Sequence, residues 1–176
     1  MTTMFASRIS RRSLLKAAAF TITAGALTTA TAPFAKAEPG TIVGTVIDFA
    51  AGVPDAQAVK DGGFLGAVRY VSQRRPGAEW MLGKPVTRQE TDAMANLGLK
   101  TASVYQFGKE ETADWKQGAE GARVHAPQAI ELHRAAGGPT GRPIYVAIDD
   151  NPTREQYDNQ IRPYLQTFRT LLSDAG

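Results

Sequence analysis

Residues 143–150 read PIYVAIDD, and the next six read NPTREQ. An apolar run of strand length ends on two adjacent carboxylates, Asp149 and Asp150. Soon after, Thr153-Arg154-Glu155-Gln156 forms a capping box that opens a helix. That helix runs over Thr153–Ser173 and carries Tyr157, Ile161, Tyr164, Leu165, Phe168, Leu171 and Leu172 at helical spacing. A strand with a polar carboxyl end followed by a helix is the unit to look for elsewhere. Working back toward the amino end, it recurs three times. Leu99–Gly108 (LKTASVYQFG) precedes a long helical stretch, Asp114–Ala136, that stops at Gly137-Gly138. Phe64–Ser72 (FLGAVRYVS) precedes Thr87–Leu97, which opens on a second capping box, Thr87-Arg88-Gln89-Glu90, and stops at Gly98. Thr41–Ala50 (TIVGTVIDFA) precedes a short helix over Asp55–Asp61.

The alternation is βαβαβαβα, which predicts a parallel sheet with right-handed crossovers. It fits a small doubly wound sheet or the first half of a (βα)8 barrel. In both, chemistry collects at the carboxyl ends of the strands. Those ends carry Asp48, then Arg69 and Tyr70, then Tyr105 and Gln106, then Asp149, Asp150 and Asn151. Asp48 shares parity with Val46 and Asp149 with Ala147, which aims both at the barrel axis. Arg69 is aimed the same way by its parity with Ala67. Two carboxylates with a guanidinium and a phenol nearby can do acid–base work on a glycosidic bond. The same residues could instead form a buried ion-pair layer, Arg69 with Asp48 or Asp149, because an isolated buried Asp is costly.

The connection from Ser72 to Val86, SQRRPGAEWMLGKPV, is long enough to be a binding loop. Trp80 could stack on a sugar and Arg74 and Arg75 could meet anions, or Trp80 could plug the sheet end while the arginines stay solvated. His125 and His133 lie eight residues apart, too far for a helical zinc pair, and read as structural. No phosphate loop, dinucleotide fingerprint or nucleophile elbow is present, and Gly62-Gly63 precedes a strand rather than following one. There is no cysteine, so thiolate metal sites and a Cys nucleophile are excluded. No cofactor and no metal are expected.

The chain has 176 residues, with 20 Lys and Arg against 17 Asp and Glu. The basic excess sits at one end. Residues 1–37 hold five of the bases and no acid, leaving 15 bases and 17 acids from Glu38 onward. A nucleic-acid partner is therefore not expected. Residues 1–37 read as an export signal: Ser10-Arg11-Arg12-Ser13-Leu14-Leu15-Lys16, a mildly apolar run diluted by threonines, then Ala35 and Ala37 before a cleavage point. The paired arginines and weak hydrophobicity resemble the twin-arginine signal. The domain proper is then residues 38–176.

The stretches VIDFAAGVPDAQAVKDGGFLGAVRYVS, RRPGAEWMLGKP, VYQFGKEETADW and AAGGPTGRPIYVAIDDNPTREQYDNQIRPYL strongly resemble a glycoside-hydrolase-like domain-of-unknown-function family of secreted actinobacterial proteins. The resemblance runs from about Thr41 to Tyr164. It implies an α/β fold of the (βα)8 TIM-barrel glycoside-hydrolase-like type, related to the lysozyme-type muramidases of glycoside hydrolase family 25. Only the first four βα units are present. It implies a cell-wall carbohydrate, peptidoglycan among them, as the partner, with the twin-arginine translocase a partner during export.

Carried over, Asp48 matches the acid at the end of the first strand of that group, and Asp149 the first acid of its Asp-x-Glu motif. The Glu of that motif falls at Asn151, whose amide cannot serve as a general acid. The expected catalytic set is Asp48, Asp149 and Asp150. The expected substrate-binding set is Arg69, Tyr105, Gln106, Trp80 and Asn151. The chain reads as an exported protein acting on or binding cell-wall glycan. The alternative is a non-catalytic glycan binder or an inactive truncated paralogue on a hydrolase scaffold. A half-barrel would also expose Val- and Ile-rich edges, strands one and four, to pairing with another copy.

Overall fold

The computed structural model describes residues 42–176; the expected export signal lies outside the described residues. The chain forms a four-stranded, all-parallel sheet in the order β1-β2-β3-β4. The strands are β1 (Ile47–Asp48), β2 (Gly66–Tyr70), β3 (Lys100–Tyr105) and β4 (Ile144–Val146). Between them run α1 (Ala56–Asp61), α2 (Arg88–Asn96) and α3 (Gly118–Ala135). After β4 come a helical turn α4 (Arg154–Gln156), a π-turn at Tyr157–Ile161 and α5 (Arg162–Asp174).

Spatial order follows chain order without a reversal. A doubly wound sheet needs a reversal to place helices on both faces, so this sheet is singly wound and its helices share one face. Register identifies that face. Ile47 pairs with Ala67, Ala67 with Thr101, Ser103 with Ile144 and Tyr105 with Val146. On their side lies the core: Tyr105, Ile144, Tyr164 and Phe168 with Ala122, Ala126 and Ala129, none more than 9% exposed. The alanines bring α3 close to α5, and the rings of Tyr105 and Tyr164 lie 5.4 and 5.7 Å from that of Phe168. The opposite face carries Asp48, Val68, Tyr70, Val104 and Tyr145, and Tyr145 is 58% exposed.

Three elements differ from expectation. The strands are shorter: the edges β1 and β4 span two and three residues, so the long Val- and Ile-rich edges expected to recruit another copy are not formed. The third helix starts as a 3-10 turn at Asp114–Gln117, and only at Gly118, at φ +55°, does the α-helix begin. The second capping box is half made. Thr87 accepts from the Glu90 amide, but the Glu90 side chain is committed elsewhere. One glycine is required by packing: Gly66 starts β2 at φ +151°, where a Cβ would lie 1.8 Å from the Lys100 carbonyl oxygen.

Candidate functional site

The strand ends on the open face hold a continuous row of polar groups. Tyr70, last in β2, donates its hydroxyl to Asp48 Oδ2 at 2.7 Å. Lys84, in the loop before α2, places its Nζ 3.9 Å from the Tyr70 ring centroid and donates to the Gln106 carbonyl at 2.8 Å. The Gln106 side-chain amide donates to Asp149 Oδ2 at 3.2 Å. The row therefore runs Asp48, Tyr70, Lys84, Gln106, Asp149 across all four strands. Asp48 and Asp149 are both exposed. Among the described residues, each has one carboxylate oxygen without a hydrogen-bond donor.

Local structure explains why the row holds together. Gln106 follows β3 directly, and its carbonyl also accepts from the buried Ser72 hydroxyl at 2.7 Å. The next two amides, of Phe107 and Gly108, donate to the two oxygens of Asp114 at 2.7 and 2.9 Å. Gly108 is needed there, because a Cβ would sit 1.8 Å from the Thr112 carbonyl oxygen. Asp114 is buried. Burial pushes its carboxyl above the usual range, against the pull of the Phe107 amide, the His125 charge and the Gly108 amide. Burial likewise pushes His125 down, opposed by Asp114.

The electrostatics of the row follow from its partial burial. Burial raises the Tyr70 phenol first, and the Asp48 hydrogen bond and charge raise it further. Tyr70 is therefore a donor to Asp48 at any physiological pH. Burial lowers Lys84 to about 8, helped by the Arg75 charge and resisted by Asp114 and Asp48. A lysine that changes charge near neutral pH thus touches both halves of the row.

Two residues of the expected substrate-binding set lie on the helix side of the sheet. Arg69 is fully buried on the helix side. It pairs with buried Glu90 of α2, donates to the carbonyls of Phe49 and Gly83, and stacks 3.8 Å from the centre of the Phe49 ring. The buried ion pair is therefore made with Glu90, and neither with Asp48 nor with Asp149, and Arg69 is out of reach of a ligand. Register is the reason: Asp48 lies beside Val68, not Arg69. Tyr105 is also fully buried, its hydroxyl donating to Gln128 at 3.2 Å. It sits in the core, where no solvent reaches it.

Asp150 is half-buried and committed. Its oxygens accept from the Trp115 indole at 2.7 Å and the Glu110 amide at 2.8 Å, which tie the end of β4 to the segment after β3. Asn151 is exposed, and Trp80 is 57% exposed on its loop. Sequence reasoning missed Lys84, Glu90 and Asp114 as site-shaping groups. The signal for Lys84 is a lysine inside the long loop, in the stretch Gly83-Lys84-Pro85. Among the described residues, no three His, Asp or Glu side chains come together as a metal site.

Residues 57–176 match the family described as Rv2525c-like, glycoside hydrolase-like domain. The chain is 48% identical over 166 residues to Rv2525c of Mycobacterium tuberculosis, a protein provisionally named a peptidoglycan hydrolase, covering 93% of this chain and 69% of that one. The crystal structure of Rv2525c, titled a Tat-secreted protein in complex with L-tartrate, aligns with a TM-score of 0.72 at 53% identity, over 73% of this chain and 63% of that chain. An uncharacterised protein of B. stearothermophilus aligns with a TM-score of 0.51 at 21% identity, over 71% of this chain and 55% of that one; it shares the fold alone. The chain thus covers 69% of Rv2525c in sequence and 63% of its crystallised chain in structure.

Proposed function

This chain belongs to the family of Rv2525c-like glycoside hydrolase-like domains, and from that premise we propose that it is an exported protein that binds and hydrolyses a cell-wall glycan of the peptidoglycan class. The observation that carries the reading is the strand-end row. Two exposed carboxylates, Asp48 and Asp149, stand on the open face, each with one oxygen uncommitted, joined through Tyr70, Lys84 and Gln106. Glycosidic hydrolysis needs two carboxyl groups flanking the bond, one to protonate the leaving oxygen and one to act on the opposite side of the sugar. Asp149 takes the part of acid or charge stabiliser and Asp48 that of its partner. Gln106 orients Asp149, Tyr70 orients Asp48, and Trp80 offers a ring on which a sugar can stack. In this reading the four units are the first half of a (βα)8 barrel whose interior is the open face. The sequential strand order and the one-sided helices support it. Residues 1–37 are then a twin-arginine signal and residues 38–176 the exported domain, a reading supported by the relative described as Tat-secreted.

A second reading, glycan binding without turnover, is favoured by one observation. Asn151 stands where the resemblance expects a general-acid Glu, and neighbouring Asp150 is held by an indole and an amide. One experiment separates the two. The protein and its Asp149→Asn and Asp48→Asn variants are incubated with purified peptidoglycan, and both released reducing ends and sedimented protein are measured. Turnover lost with binding retained supports hydrolysis. Binding lost with no turnover in any form supports the second reading. Neither binding nor turnover in the unsubstituted protein removes both.

A further inference from the structure

On the helix side of the sheet α2 and α3 stand apart, leaving a cleft of about 640 Å3 with β3 as its floor. None of the five residues of the strand-end row lines it. Ser103 projects from the floor and donates its hydroxyl to His133 Nδ1 of α3 at 2.8 Å, while His133 Nε2 donates to the Pro139 carbonyl at 3.2 Å. The glycine pair that ends α3 is shaped around this wall. A Cβ on Gly137, itself at φ +82°, would lie 2.7 Å from a guanidinium nitrogen of Arg88, and one on Gly138 would lie 2.2 Å from the His133 ring. The polar wall is therefore held in place by packing.

Charge around the cleft is one-sided. Arg88 and Arg142 line it against one carboxylate, Asp92, which Arg88 engages at 2.8 Å. Among the described residues Arg142 makes no ion pair or side-chain hydrogen bond. Val86, Leu99 and Ala136 supply apolar wall. A mostly apolar cavity of several hundred Å3 with a few convergent polar groups is the usual form of a small-molecule site.

The geometry points to a second binding site: the α2–α3 cleft takes a small organic anion, its carboxylate or phosphate against Arg142 and its apolar body against Val86, Leu99 and Ala136. The full chain is titrated calorimetrically with inorganic phosphate, phenyl phosphate and benzoate, with the His133 ring proton signals followed by NMR. Phenyl phosphate or benzoate should saturate one site, shift the His133 signals, and bind more tightly than inorganic phosphate, which lacks the apolar body. The tighter of the two names the head group. Arg142→Ala should weaken binding by about tenfold, the loss of one charge-assisted contact. The Arg142 side chain is exposed, so the variant should keep the parental melting temperature. Absence of saturation by either aromatic anion would overturn the site. So would saturation that survives Arg142→Ala with the His133 signals unmoved.

Discussion

Arg69 and Tyr70 are neighbours in β2 and live in opposite environments. Arg69 points to the helix side, where no solvent reaches it, and its guanidinium is taken up by Glu90 and two carbonyls. Tyr70 points to the open face and reaches an exposed carboxylate. The contrast teaches where to look for function. A charge sealed by protein partners on every side supports structure, because removing any partner leaves the rest uncompensated. A charge held by one neighbour, with lone pairs turned to solvent, is available to a ligand.

Substitutions on the two sides should part company, and the largest effect belongs to the sealed side. Glu90→Ala strands a buried guanidinium and should cost about 3–5 kcal/mol, a fall in melting temperature of roughly 10 °C or more. A thermal melt close to the parent would break the comparison at its root. Asp150→Ala takes the acceptor from the Trp115 indole and the Glu110 amide and should cost about 1–3 kcal/mol, read by denaturant unfolding. Tyr70→Phe removes one hydrogen bond to an exposed carboxylate and should cost about 1 kcal/mol or less.

The Lys84 contribution is visible in pH dependence. Its folded pKa of about 8 lies below its ordinary 10.5, so between those values the unfolded chain binds more protons and stability should rise with pH. Lys84→Met should flatten that rise, as chemical unfolding at pH 8 and pH 10 would report. The smallest stability effect is expected for Asp149→Asn, within about 0.5 kcal/mol. On the proposed reading this substitution nonetheless abolishes turnover of the glycan. A variant that instead unfolds would move Asp149 to the structural side.

Much of the fold was legible because strand and helix carry different periods. All four apolar runs contain a strand, and Thr87 and Thr153 cap helices as expected. What was not legible is the register between strands. Parity along one strand says which residues share a face, but not how that face aligns with the next strand. Parity along its own strand aims Arg69 with Asp48, while the pairing of Asp48 with Val68 puts Arg69 on the other face. Glu90 shows a second limit. A Glu three residues past a Thr satisfies the capping-box pattern, yet a buried guanidinium twenty-one residues earlier is the stronger claimant for its carboxylate. Local patterns cannot weigh a partner that only the fold brings near.

The strand order also has a kinetic side. Each strand pairs with the one before it in the chain, so the sheet can grow by successive closures of modest loops. The central ladder between β2 and β3 has five paired positions, against two at β1 and three at β4. The last amide protons to exchange with deuterium should therefore belong to β2 and β3, with the edges opening first as a separate, less protected unit. Asp48 and Asp149 sit beside those edges. The two carboxylates would then ride on the sheet's most readily opened margins, braced across its slowest-exchanging centre.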